Sequence, residues 1–230
     1  AMINAVSKLT WRAFERHYSL TTYEQLISKL DSTIPVYPDW IKGIACALGS
    51  AGLAFLYSGD MIAFIVTVIC SLIGYFGRTL SVRFGCNEYV GIAIGGFAAM
   101  VSAYGFYSHI EQDSLVYVLV CCTLFMIPGV PLINSVIDTI NNHILSGITR
   151  AIRTILIVGS MTLGMAMALY FNPMPAFSFV DIKPHVLSIE QIIGSFTAAA
   201  SFAVLFNAPV RLLVSIGIGG VLCVFTRNLL

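Results

Sequence analysis

One run of 31 residues constrains this chain more than any other: LVYVLVCCTLFMIPGVPLINSVIDTINNHIL, residues 115–145. As a straight helix rising about 1.5 Å per residue, it would exceed a ~30 Å hydrocarbon layer by half. Two prolines sit in the middle. Pro128 and Pro131 each lack an N–H and clash with the turn before them, and Gly129 between them permits unusual dihedrals. The run therefore reads as two half-helices, 115–127 and about 132–145, separated by an unwound segment 128–131. Unwound backbone at membrane depth is tolerated only where protein buries it or water reaches it.

Further apolar runs surround this one, at 41–57, 61–77, 89–107, 152–171, 189–206 and 210–225. A soluble domain carries roughly 25% charged residues; here 10% are charged and 58% hydrophobic. The fold class that follows is all-α, a polytopic helical membrane protein with about seven spans and a Pro-Gly-broken helix. The lipid bilayer is thus its first partner. Residues 1–40 differ. They mix Lys8, Arg12, Glu15 and Arg16 with apolar residues at helical spacing, then offer Thr21-Thr22-Tyr23-Glu24 as a capping box for a second short helix to Leu30. Pro35 and Pro38 stop it, and Tyr37 and Trp40 suit an interfacial anchor. No cleavable signal peptide is expected in 1–30, which lacks an apolar core.

With the N-terminus in the cytoplasm and spans alternating, ten of twelve basic residues fall inside: Lys8, Arg12, Arg16, Lys29, Lys42, Arg78, Arg83, Arg150, Arg153 and Arg211. That asymmetry favours this orientation. A net charge of +1 gives no field to attract nucleic acid. The six cysteines form no CxxC pair and read as small hydrophobes, not as metal ligands or disulfides. No cofactor is expected. Motifs of intramembrane or nucleophilic enzymes are missing, so the chain is read as a non-enzyme. Small residues at spacing four mark helix contacts: Gly91, Gly95, Ala99 and Ala103; Ala47 and Ala51; Ser215 and Gly219.

The densest polar cluster follows the break. The second half-helix starts at Pro131, a favoured first-turn residue, so its free N–H groups and positive dipole end face the break. Asn134, Asp138 and Asn141 or Asn142 then share a face, flanked by Ser135 and Ser146. An intramembrane carboxylate is costly and is a functional candidate by default. The plainer alternative is that Asp138 reaches water and pairs with Arg150 or Arg153. His143 reads as a bystander near the end of the segment. A second interruption, Phe206-Asn207-Ala208-Pro209-Val210-Arg211, is either a loop or a second discontinuous element near the first.

These residues carry a resemblance. IPGVPLINSVIDTINNHILSGITRAI is similar to the signature of the bacterial threonine/serine exporter family, a PG-x-P-L-x-N…D…G…SG-x-x-R pattern. YPDW before the first span is similar too, and SFAVLFNAPVRLLVSIGIGG looks like the opening of the family's second membrane domain. Split two-chain versions are linked to succinate. The resemblance implies an organisation of 1–40 as the tail of a longer soluble domain, 41–171 as a first membrane domain of about five spans, 172–188 as an outer loop, and 189–230 as the start of the second domain. It implies an inner-membrane secondary exporter of threonine and serine, driven by the proton motive force. Pro128, Gly129, Pro131, Asn134, Asp138, Ser146, Gly147 and Arg150 match the first motif, and Asn207, Pro209 and Arg211 the second.

Combining motif and physics, the expected substrate contacts are Pro128, Gly129, Pro131, Asn134, Asp138, Asn141 and Asn207. Asp138 is the proton-coupling group. Arg150 and Arg211 form a cytoplasmic gate or anion contact. The substrate is a small molecule, a zwitterionic amino acid by preference and a dicarboxylate such as succinate as the alternative. A non-transporting subunit is the third reading. The expected protein partners are the remainder of the second membrane domain, on this or another chain, and a second copy in a homo-oligomer.

Overall fold

The computed structural model describes residues 2–33, 37–58, 60–106, 112–172 and 189–229. Among these, all regular structure is helical. Two short helices come first, α1 (Met2–Glu15) and α2 (Leu20–Thr33), packed on each other. The bundle follows: α3 (Asp39–Ser58), α4 (Met61–Arg83), α5 (Glu88–Gly105), α6 (Gln112–Cys121), α7 (Gly129–Ile140), α8 (Ile144–Phe171), α9 (Ile189–Leu205) and α10 (Val210–Leu229). Four of them, α3, α4, α8 and α10, are long and apolar enough to cross a membrane, and α6 with α7 forms a bent pair that together is also long and apolar enough. Seven were expected. The shortfall comes from α5 and α9, which are helical in place: α5 has 18 residues but is less apolar, with Glu88 at its start and several small residues, and α9 is apolar but only 17 residues long. Pro35, Tyr107 and most of the expected outer loop, 173–188, lie outside the described residues.

Caps explain most of the boundaries. Ser19, not Thr21, starts α2: its Oγ accepts the Thr22 N–H at 3.3 Å. Asp60 caps α4 by accepting from the Ile62 N–H at 2.9 Å, and Asn87 caps α5 by accepting from Tyr89 at 3.1 Å. Two helices end on asparagines in the left-handed region, Asn142 (φ 63°) after α7 and Asn207 (φ 56°) after α9. In each the next two N–H groups turn back onto the last helical turn: Asn142 to Thr139 and His143 to Asp138, Asn207 to Val204 and Ala208 to Ala203. Asparagine tolerates this geometry better than other residues with a side chain.

The break is displaced from its expected place. The backbone leaves the α-helix at Cys122, makes a short 3-10 turn over Leu124–Met126, and resumes at Gly129. Pro128 forces the residue before it out of the helical region, and Ile127 is extended (φ −66°, ψ 122°). Pro131 lies in the first turn of α7, where its missing N–H has no helical partner to lose. The unwound residues are thus 122–128, not 128–131, and α6 and α7 meet at 56°. The segment also ends sooner than expected. α7 stops at Ile140, and α8 begins at Ile144, taking in the residues between the expected half-helix and the apolar run that starts at 152.

Packing uses small residues. Gly91, Gly95, Ala99 and Ala103 are all buried on α5, and Ala47 and Ala51 on α3. On α10 the expected pair is wrong: Ser215 is exposed and nothing lies within 4 Å of Gly219, whereas Gly217 and Gly220 meet Phe196 and Ala199 of α9. The helix is rotated so that its adjacent small residues face its neighbour. α9 packs extensively on α3, α4 joins α5 and α3, and α5 joins α8. Apolar side chains such as Ile155, Leu163, Val214 and Leu222 cover the outside, as a hydrocarbon solvent requires.

Candidate functional site

The predicted site residues separate into two places. Asn134 and Asp138 lie on α7, and the turn at Asn141 and Asn142 folds α8 back against them. Asp138 Oδ2 accepts from Ser146 Oγ at 2.8 Å and lies 3.3 Å from Arg150 Nε. The buried Ser135 hydroxyl donates to the Gly147 carbonyl at 2.8 Å, a second tie across the hairpin. So Asp138 pairs with Arg150, the plainer of the two alternatives read from the sequence. Asn141 is the exposed C-cap of α7 and not part of a helical stripe. The start of α7 offers few donors, since Gly129 already donates to the Ile127 carbonyl at 2.9 Å and Pro131 has none. Pro128 itself is buried.

Asn207 lies elsewhere. Its Oδ1 accepts the Tyr37 N–H at 3.2 Å, and the Tyr37 hydroxyl donates to the Ala208 carbonyl at 3.1 Å. These bonds fasten the α9–α10 turn to the entry of α3. Tyr37 is therefore tied to protein rather than standing only as an interfacial anchor. Arg211, just beyond Pro209, is exposed.

The two interruptions nonetheless meet at one cleft of about 650 Å³. Phe125 and Ile127 from the break line one side, and Phe202, Leu205 and Phe206 at the end of α9 line another. Tyr75, Arg78, Thr79 and Val82 present one face of α4, at the spacing a helix needs to do so. Lys42, Arg83, Asp39 and Glu88 complete the lining, giving three cations against two carboxylates. Two ion-pair groups hold it. Asp39 of α3 bonds Arg83 of α4 at 3.1 Å and lies 4.0 Å from Lys42. Glu88 of α5 bonds Arg153 of α8 at 3.1 Å and lies 3.5 Å from Arg78 of α4. Tyr75 adds a hydroxyl donated to the Asp39 carbonyl at 3.2 Å.

Sequence reasoning placed Lys42, Arg78, Arg83 and Arg153 at one end of the bundle, and they meet there. It missed that they form a site. The available signal was the short turn between Arg83 and Glu88, which sets ionised residues of two helices face to face. Among the described residues no group of His, Cys, Asp or Glu is arranged to hold a metal ion.

Such an arrangement, apolar helices around an interrupted span and a charged cleft at one end, defines a multi-pass α-helical membrane protein. Residues 1–172 match the ThrE family, described as "Putative threonine/serine exporter", and the chain belongs to that family. It is also similar to proteins named "Probable succinate transporter subunit YjjP" from Klebsiella aerogenes and Escherichia coli K12, each 23% identical, over 161 and 154 residues. Both alignments take in 66% of this chain, which spans about 60% of the length of those relatives. No solved structure matches.

Proposed function

We propose that this chain forms the substrate-receiving part of a secondary exporter of small, carboxylate-bearing metabolites in a bacterial inner membrane, with the charged cleft open to the cytoplasm. The observation that carries this reading is the cleft itself, where partly shielded cations stand beside apolar walls at the junction of two interrupted segments. A carboxylate binds the cations, and a short carbon skeleton lies against Phe125, Ile127 and Phe206. The family description favours threonine and serine, whose ammonium group would find Asp39 or Glu88. The excess of cations over carboxylates favours a dianion such as succinate, in line with the names of the relatives.

The Asp138–Arg150 pair is the coupling element in this reading. Protonating Asp138 removes the attraction to Arg150 and loosens the α7–α8 hairpin, and the proton gradient acts through that step. Asn134 and Asn207 flank the path, and Arg150 and Arg211 mark its cytoplasmic mouth. The remaining helices of the transport unit come from further residues of this protein or from a partner chain.

The test is export of labelled threonine and labelled succinate from cells carrying the wild type, Arg78→Gln and Asp138→Asn. Arg78→Gln is expected to abolish export of the true substrate. Asp138→Asn is expected to flatten its dependence on external pH. Wild-type export of neither compound above the empty-vector level, or full export by Arg78→Gln, rejects the reading.

A further inference from the structure

The two carboxylates of the cleft are shared unequally. Asp39 lies 3.1 Å from Arg83 but 4.0 Å from Lys42. Glu88 lies 3.1 Å from Arg153 but 3.5 Å from Arg78. In both cases the close, hydrogen-bonded partner is the more exposed cation: Arg83 and Arg153 have side chains 67% and 60% exposed. The distant partner is the shielded one, Lys42 at 26% and Arg78 at 31%. Arg83 and Arg153 donate hydrogen bonds to their carboxylates, whereas Lys42 and Arg78 are ion-paired to theirs only at the longer distances of 4.0 and 3.5 Å. This is the reverse of what stability alone favours, because ion pairing is stronger where solvent screens less.

We infer that Arg83 and Arg153 are positioning residues that hold Asp39 and Glu88 away from Lys42 and Arg78, leaving these two inner cations to bind the two carboxylates of a dianion. The inference rests on the cleft being the substrate site and adds which cations bind, and what keeps them available. Each outer arginine neutralises its carboxylate on the solvent side. The substrate therefore need not break a strong pair to reach Arg78 or Lys42. Glu88 is bound to α8 through Arg153 and to α4 only loosely, so an arriving carboxylate exchanges for its longer contact and leaves its shorter one in place. A zwitterion gains less, since it brings one carboxylate to two cations.

The distinctive consequence is that deleting an exposed arginine weakens anion binding. In Arg153→Gln, Glu88 is released and closes onto Arg78. The purified full chain in detergent is titrated calorimetrically with succinate, and separately with threonine. Arg153→Gln is expected to raise the succinate Kd about fivefold, the factor carried by a partly exposed ion pair. The double variant Glu88→Gln with Arg153→Gln is expected to restore it to the wild-type value or below. A size-exclusion profile matching the wild type shows the single variant to be folded. Threonine affinity is expected to move less in Arg153→Gln.

An unchanged succinate Kd in Arg153→Gln overturns the inference, as does a loss that Glu88→Gln fails to restore. The underlying cleft reading is checked by Arg78→Gln. If that variant loses succinate binding while Arg153→Gln keeps it, the cleft stands and the positioning role falls. If Arg78→Gln binds succinate as the wild type does, both fall.

Discussion

A close helix crossing that forms one wall of the cleft gives a sharp test of the fold. At the α3–α9 contact, a Cβ on Gly194 would lie 2.8 Å from the Gly52 carbonyl oxygen, 2.9 Å from the Leu56 nitrogen and 3.2 Å from its Cα. All three are backbone atoms, so no side chain can swing aside. Carbon atoms pack best at about 3.5–4.0 Å, so Gly194→Ala must push the helices apart by roughly 0.5–1 Å, forfeiting a quarter to a half of the dispersion at the contact. Overpacking of this kind costs about 1–3 kcal/mol, offset by about 1 kcal/mol because alanine is the better helix former. A net loss of up to about 2 kcal/mol lowers the Tm by up to roughly 8 °C at this chain length. Gly159→Ala on α8 is the control, with nothing within 4 Å of its Cβ; it gains up to about 1 kcal/mol and a Tm higher by about 2–3 °C. Size-exclusion chromatography after a heating series in detergent reads both. If Gly194→Ala rises in step with Gly159→Ala, α9 does not cross α3 at this distance, and the cleft loses one of its walls.

Three further outcomes follow from the same geometry. Asn207→Gly keeps the left-handed turn and loses only the bond from Tyr37, about 1 kcal/mol, whereas Asn207→Val adds about 1–2 kcal/mol of backbone cost; the valine variant should melt lower in the same heating series. Ser135→Ala removes a buried bond across the α7–α8 hairpin at about 1 kcal/mol, and Asp138→Asn gives up only a partly exposed ion pair at about 0.5 kcal/mol, so limited proteolysis should nick the serine variant faster. Cys86 is exposed in the α4–α5 turn, at the end that carries Arg83 and Glu88. A membrane-impermeant maleimide should label it in inverted membrane vesicles and not in intact cells, and the opposite pattern reverses the proposed orientation.

How much of this was legible depends on whether a residue acts within its own segment. Pro128 breaks a helix wherever it stands, so the interruption and its neighbourhood could be read directly. Its exact bounds could not, because Pro131 is harmless in a first turn, and only the resumed helix shows that it occupies one. Asn141 and Asn142 were read as a polar stripe since asparagine in a helix and asparagine ending one look alike in sequence. The left-handed backbone at Asn142 decides it, and with the turn in place Asp138 meets Arg150 twelve residues on. The Ser215 and Gly219 pair failed for a related reason: a helix with Gly217, Gly219 and Gly220 offers several small faces, and its neighbour chooses among them. Least legible was the pairing of Glu88 with both Arg78 and Arg153, which needs three helices assembled at once.

That assembly also separates what is fixed from what can move. Gly52 with Gly194 locks α3 to α9, and Gly74 with Gly95 locks α4 to α5, in each case by backbone contact too close for any side chain to yield. The charged helices that line the cleft, α3, α4 and α5, are thus each held by one of these two locks. α7 differs: it packs mainly on α8, and it meets α6 through unwound residues rather than a continuous helix. In the proposed exporter, a rotation of α7 about the 122–128 segment would displace Phe125 and Ile127, the cleft's wall at the break, and leave Lys42, Arg78 and their counter-ions in place. An apolar wall that moves past fixed charges changes their access to water without breaking an ion pair, and access is the quantity that a transporter has to alternate.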